Sequence, residues 1–285
     1  MRIAGLAYAL VSALALATTG LAGLALDPAT AAGPETVEFA AGDLKLKAQM
    51  FKPDGPGPFP VVVALHGCEG LPTPSNPLST RYKDWGDRLV KAGFVMILPD
   101  SYGSRGHGNQ CRIRTTFRSD RERMADANAT RAWLQAQPFV KPDHISLLGW
   151  SNGGVSVLWS VRPQARIKDD KPDFRSAVAF YPGCRRLEAA AWSARVPTLI
   201  LSGAVDDVVS ARACEQMVSG ARGRTARATI IVYPGAYHDF DHPNRGVQVR
   251  TGYAFSNDGS GRIHTGSNPA ARTDSHRRVM QWLTR

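Results

Sequence analysis

Ile145-Ser146-Leu147-Leu148-Gly149-Trp150-Ser151-Asn152-Gly153-Gly154-Val155 is the stretch that decides how this chain folds. Ile145–Leu148 reads as a short buried strand, and Gly153–Val161 reads as a helix. The six residues Gly149–Gly154 must turn the chain from one to the other within a very small volume. Glycines on both flanks remove the Cβ atoms that would clash in so tight a turn. The one serine in it would stand at the carboxyl end of the strand, above the free N–H groups and positive dipole end of the following helix. This is the strand, Gly-x-Ser-x-Gly turn and helix of a nucleophile elbow, with Ser151 as its nucleophile.

Outward from the elbow, short apolar runs alternate with helical stretches. Val61–Leu65, Phe94–Leu98, Ala177–Phe180, Thr198–Leu201 and Thr229–Val232 are continuous enough for strands covered on both faces. Between and after them, Tyr82–Ala92, Asp120–Gln137, Ala211–Ser219 and Ser275–Leu283 read as helices. Residues 101–119 read as a long polar loop, and Gly246–Thr273 as a long surface loop. Alternation of this kind predicts a mostly parallel central sheet with helices on both faces. Thr36–Ala40 and Leu44–Phe51, joined through Ala41-Gly42-Asp43, add an antiparallel N-terminal edge. An α/β sheet carrying this elbow predicts the α/β-hydrolase fold, as a single catalytic domain over residues 33–285.

A serine hydroxyl needs a base, and in this fold the chain order is Ser, then acid, then His. His238, just after the last predicted strand, is the base expected; His242 is the second candidate. The acid is expected after Thr198–Leu201, where Asp206 is preferred to Asp207. An acid there fixes the imidazole tautomer and stabilises the imidazolium. Two backbone donors should hold the oxyanion. Asn152, following the nucleophile, supplies one N–H; Cys68, in the His66-Gly67-Cys68-Glu69-Gly70 loop, supplies the other. His66 precedes Ser151 in the chain and reads as a structural, hydrogen-bonded histidine.

Taken together, Leu65-His66-Gly67-Cys68, Pro99-Asp100-Ser101-Tyr102, Gly149–Gly154, Gly203-Ala204-Val205-Asp206-Asp207 and Tyr233-Pro234-Gly235-Ala236-Tyr237-His238-Asp239-Phe240 resemble the dienelactone hydrolase family, in order, over about residues 36–285. The resemblance implies hydrolysis of a carboxylic ester or lactone, with nucleophile, acid and base on Ser151, Asp206 and His238. The family's best-known members carry Cys as nucleophile. Ser here points to a general esterase that depends fully on its His base. A peptidase of the same fold and a non-catalytic cell-envelope binding protein are the alternative readings. Arg81 and Arg105 lie in loops that should border the site, where either could pair with a substrate carboxylate; solvated surface arginines are the alternative reading.

The remaining features concern location and partners. Arg2, the apolar run Ile3–Leu26 and the small residues Ala29-Thr30-Ala31 predict a signal peptide over residues 1–32, with an uncleaved anchor as the alternative. The expectation is an exported protein, periplasmic or secreted, with no stable membrane insertion after cleavage. Its four cysteines fit that compartment. Cys68–Cys111 and Cys184–Cys214 are the favoured pairings, because each joins loops expected on one side of the fold; free buried thiols are the alternative. No Cys-x-x-Cys occurs, and neither a metal nor an organic cofactor is expected. The net charge is +11. Its basic residues are dispersed, and Asp120 and Glu122 interrupt the densest group between Arg105 and Arg123. No nucleic-acid partner is expected, only a small ester or lactone.

Overall fold

The computed structural model describes Met1 and residues 33–72, 77–113 and 117–285. The expected signal peptide, residues 1–32, lies outside this set apart from Met1. Eight strands form one sheet in the order β1-β2-β4-β3-β5-β6-β7-β8. They are β1 (Glu35–Ala41), β2 (Leu44–Phe51), β3 (Phe59–Leu65), β4 (Val95–Pro99), β5 (Val140–Trp150), β6 (Ala177–Phe180), β7 (Thr198–Gly203) and β8 (Ala228–Tyr233). β1 pairs with β2, and β2 with β4, antiparallel; every other pairing in this sheet is parallel. The chain thus has the α/β-hydrolase fold, with an antiparallel edge on a parallel sheet.

Why the parallel strands are apolar throughout is visible in their two faces. In β3, Val61, Val63 and Leu65 join one core, while Val62 and Ala64 join the other. The first core is closed by Ala127 and Leu134 of α2 (Glu122–Leu134), Val157 and Leu158 of α3 (Asn152–Ser160), and Met217 of α5 (Ala211–Gly220). The second is closed by Tyr82, Trp85 and Leu89 of α1 (Thr80–Lys91) and by Val279 and Trp282 of α6 (Pro269–Leu283). Side chains alternate across a strand, so a strand covered on both faces has no polar position to give away.

The region 246–273 departs from the expectation of a plain loop. Gln248–Arg250 (β9) pairs antiparallel with Ile263–Thr265 (β10), and α6 starts at Pro269 rather than Ser275. Three-residue strands are too short to show an alternating pattern. The helix start had a local signal: Asn268 caps it by accepting from the Ala271 N–H at 3.0 Å, and Pro269 occupies the first turn. A short helix, α4 (Arg185–Ala189), also follows β6 where no helix was expected.

Both expected disulfides are present, although Cys214 lies within a helix rather than a loop. Cys68 is bonded to Cys111, and Cys184 to Cys214. The first ties the loop after β3 to the loop after β4; the second ties the start of α4 to α5. Among the described residues no helix is long and apolar enough to cross a membrane.

Candidate active site

Register brings the strand ends together. Leu65 pairs with Gly149, Trp150 with Phe180, and Phe180 with Leu201, so β3, β5, β6 and β7 end side by side. Ligand sites of open α/β sheets lie at this carboxyl edge. Ser151 sits there with φ 52° and ψ −115°, a backbone conformation that non-glycine residues rarely adopt. Its N–H is held by the Phe180 carbonyl at 2.9 Å. The flanking glycines are obligatory. A Cβ on Gly153 would stand 1.9 Å from the Leu65 carbonyl oxygen, and one on Gly149 would stand 2.5 Å from that of Gly153.

Three of the expected residues come together here: Ser151, His238 and Asp206. His238 Nε2 lies 2.9 Å from Ser151 Oγ, and His238 Nδ1 lies 2.7 Å from Asp206 Oδ2. A carboxylate only accepts, so Nδ1 carries the proton and Nε2 presents its lone pair to the serine. Asp206 is itself fixed, since its Oδ1 accepts from the Val208 and Val209 N–H groups at 2.9 and 3.0 Å. The ring of Tyr181 packs on the imidazole, with centroids 4.5 Å apart. Burial disfavours the charged imidazole, but the Asp206 carboxylate and its hydrogen bond, helped by Asp239, outweigh burial and hold the pKa of His238 above its ordinary value.

The other acid and histidine are engaged elsewhere. Asp207 binds His264, with Oδ2 2.7 Å from Nδ1 and Oδ1 accepting the His264 N–H at 2.9 Å. That pair clamps β10 to the loop carrying Asp206. His242 lies four residues after His238, a spacing that metal ligands use on helices. Here the segment is a turn, and His242 Nε2 lies 3.3 Å from Thr80 Oγ1, away from Ser151.

The two N–H groups expected to face an oxyanion, those of Cys68 and Asn152, have no acceptor among the described residues. The loop around Cys68 is held by several bonds. The Gly67 N–H donates to Tyr82 Oη at 2.8 Å, His66 Nδ1 donates to the Gly67 carbonyl at 2.8 Å, and the Cys68 carbonyl accepts from the Gln110 N–H at 2.8 Å. His66 is fully buried, and burial followed by the nearby Arg123 charge pushes its pKa well below the ordinary value, so it serves as a neutral donor.

Arg81 and Arg105 have different positions. Arg81 lines the cleft but is buried, bonded to Glu69, Asp239 and the hydroxyls of Tyr181 and Tyr82. Burial opposes its charge, but these groups outweigh burial and raise its pKa well above the ordinary value. Asp239 is correspondingly held well below the usual carboxylate range: burial acts against this, and the Arg81 charge, then those of His238 and Arg245, overcome it. Arg105 does not line the cleft. Its guanidinium forms a two-pronged pair with Asp126, at 2.9 and 2.8 Å, and donates to the Ser101 carbonyl at 2.8 Å. A bidentate partner in its own neighbourhood removes it from the site.

Two groups went unread in the sequence. Asp241 is fully buried beneath the elbow. Its Oδ2 accepts from the indoles of Trp85 and Trp150 at 2.9 and 2.8 Å, and its Oδ1 accepts from the Tyr181 hydroxyl at 2.6 Å. The second is Arg123, bonded to Asn152 and to His66. An acid repeated in His238-Asp239-Phe240-Asp241-His242 was the available signal for the first; for the second there was none beyond a cluster of arginines. Among the described residues the one group of metal-ligand type, Cys68, Glu69 and Cys111, has both sulfurs in a disulfide.

The cleft over Ser151 has a volume of about 930 Å³. Val155, Trp159, Val208 and Val209 give it an apolar side, and Arg245 and Arg250 a basic one. The sheet, its carboxyl-edge cleft and the serine at a strand-to-helix turn define an α/β-hydrolase of the carboxylic ester hydrolase class. The chain belongs to the dienelactone hydrolase family, whose model matches residues 46–285. A Yersinia pestis protein provisionally assigned as a carboxymethylenebutenolidase is 27% identical over 224 residues, 73% of this chain and 78% of that protein. Among solved structures, a dienelactone hydrolase-like promiscuous phosphotriesterase from metagenomic libraries superposes with a TM-score of 0.66 at 19% identity, covering 88% of this chain and 97% of that one. Esterase 2 of Thermogutta terrifontis gives a TM-score of 0.57 at 20% identity, covering 77% and 90%.

Proposed function

We propose that this hydrolase cleaves carboxylic esters or lactones through a Ser151–His238–Asp206 triad and an acyl-enzyme. The observation that carries the reading is the continuous contact from Ser151 Oγ through the two ring nitrogens of His238 to Asp206. His238 Nε2 takes the Ser151 proton as Oγ attacks the ester carbonyl carbon. The carbonyl π pair moves onto oxygen, where the N–H groups of Cys68 and Asn152 receive the charge. The tetrahedral adduct collapses, the C–O bond to the alcohol breaks, and His238 returns the proton to the leaving oxygen. Water then adds to the acyl-enzyme by the same proton route and releases the carboxylic acid. In a lactone the leaving alcohol stays part of the acyl group, and hydrolysis of the acyl-enzyme releases a single hydroxy acid.

Two structural disulfides support work outside a reducing cytoplasm, in keeping with the export signal read at the N-terminus. The cleft is much larger than an acetyl group needs, which supports an ester with at least one extended arm.

The test uses residues 33–285, oxidised, beside the Ser151→Ala variant. Wild type is expected to hydrolyse p-nitrophenyl acetate and to be labelled by a fluorophosphonate on Ser151, and the variant to lose both. Folded wild type that neither hydrolyses nor labels refutes the proposal.

A further inference from the structure

Arg123, the second residue of α2, is fully buried and forms no ion pair with a carboxylate among the described residues. A buried cation without a counter-ion is costly to keep, so its position calls for a reason. Its two hydrogen-bonded partners belong to two different segments, the start of α3 and the loop after β3. Nη1 donates to the Asn152 side-chain oxygen at 2.5 Å, and Nη2 donates to the His66 backbone carbonyl at 2.7 Å. Nε has no hydrogen-bond partner among the described residues, and the guanidinium carbon lies 5.2 Å from the centre of the Tyr102 ring.

Asn152 is the residue after the nucleophile, and its side chain is pinned from three directions. Besides Arg123, the Tyr102 hydroxyl donates to the same oxygen at 3.2 Å and Ser119 Oγ at 3.4 Å. Arginine has only donors, so the Asn152 atom facing it must be the oxygen rather than the amide nitrogen. His66 lies two residues before the Cys68 N–H. The same guanidinium therefore grips both stretches of backbone that carry the acceptor-free N–H groups. These stretches already approach so closely that only glycine fits at position 153.

We infer that Arg123 is a positioning residue for acyl transfer: it fixes the spacing between the Cys68 loop and the Ser151–Asn152 elbow, and its unpaired charge favours the negative oxygen that develops between their N–H groups. The inference rests on the acyl-enzyme reading above. In the resting enzyme no carboxylate among the described residues touches the guanidinium; carbonyl dipoles, a ring face and the charge of Asp100, which acts without contact, compensate it in part. The tetrahedral oxyanion adds the missing negative charge at the same junction, so the stabilisation is larger in the transition state than in the ground state. That difference is what accelerates a reaction. Lysine at this position would keep the charge but lose the planar fork that spans two acceptors.

The experiment compares wild type with Arg123→Met, Arg123→Lys, Asn152→Ala and the Arg123→Lys/Asn152→Ala double variant. Asn152→Ala removes the side-chain amide and keeps the backbone N–H. The measurements are kcat and KM on p-nitrophenyl acetate, thermal stability, and affinity for a boronic acid, which forms a tetrahedral adduct on serine. Arg123→Met is expected to lose about 10²-fold in kcat, as for removal of an oxyanion donor. Its KM should change by less than about 3-fold, with boronic acid affinity falling in step with kcat. Arg123→Lys should lie between it and wild type. A folded Arg123→Met with kcat within about 3-fold of wild type, or a kcat loss that boronic acid affinity does not follow, overturns the inference. If Arg123→Met does not fold, the cycle of Arg123→Lys and Asn152→Ala decides. Losses that overlap mean the two residues act as one unit, and losses that add refute it. Fluorophosphonate labelling separates the two levels. Unlabelled wild type removes the acyl-enzyme reading and this inference with it, whereas labelled wild type with unaffected Arg123 variants removes this inference alone.

Discussion

Replacing Asp241 tests how far the elbow depends on what lies beneath it. The carboxylate receives three hydrogen bonds, two from indoles and one from a phenol, and no water-facing alternative exists for a side chain with no exposed surface. Removing the acceptor leaves each buried donor unsatisfied at about 1–3 kcal/mol. For Asp241→Ala three such donors give roughly 4–6 kcal/mol once partial relaxation is allowed. Asp241→Asn behaves differently. Its amide oxygen can still accept from Trp85 and Trp150, but its NH2 group faces the Tyr181 hydroxyl as a donor and leaves that O–H without its acceptor, so the loss is one unsatisfied donor with some charge assistance, about 2–3 kcal/mol. The assay is urea unfolding of the oxidised proteins followed by tryptophan fluorescence, with esterase activity read in parallel. Activity should fall with stability in the alanine variant, because Trp150 precedes Ser151 and Tyr181 packs on His238. Unfolding free energies for the two variants within about 1 kcal/mol of each other refute the reasoning, since the hydrogen bonds would then carry little of the effect.

Two further outcomes follow from the same geometry. His238 must be neutral to take the serine proton, and its pKa is raised, so kcat/KM should fall as pH drops through a midpoint above the ordinary histidine value of 6.5. A Asp206→Asn variant should lose most of its activity and shift that midpoint downward; a midpoint unmoved by the substitution would detach the limb from this pair. Cys184 and Cys214 are 30 residues apart, and opening that loop by Cys214→Ala with Cys184→Ala should cost roughly 3–4 kcal/mol of stability. Denaturation midpoints equal to those of wild type would contradict it.

The sequence was most legible where backbone geometry is extreme. Gly149, Ser151 and Gly153 announce a turn so tight that few other residues fit, and the continuous apolar runs announce strands buried on both faces. Chain order then pointed to His238 and Asp206, which the fold brings to Ser151. What stayed hidden was the pairing of polar groups across long sequence distances. Arg105 looked free for a substrate because nothing in the chain says that Asp126, one helix later, will face it. Arg123 gave no sign of its place because its partners are a backbone carbonyl and an amide oxygen, which carry no sequence signal at all.

The same point bears on how this site differs from a simple serine elbow. The nearer arginine, Arg81, is neutralised by Glu69 and Asp239, so it contributes structure with little net field. Arg123 forms no ion pair among the described residues, with Asp100 acting on it only without contact, and it lies at the junction where the proposed oxyanion develops. A buried ion pair can be exchanged for apolar groups at modest cost, whereas a lone buried cation is kept only where something compensates it. In a hydrolase that compensation need exist only at the moment of reaction. On the proposed mechanism, the distribution of paired and unpaired arginines separates the scaffold of this cleft from the part that would act on the transition state.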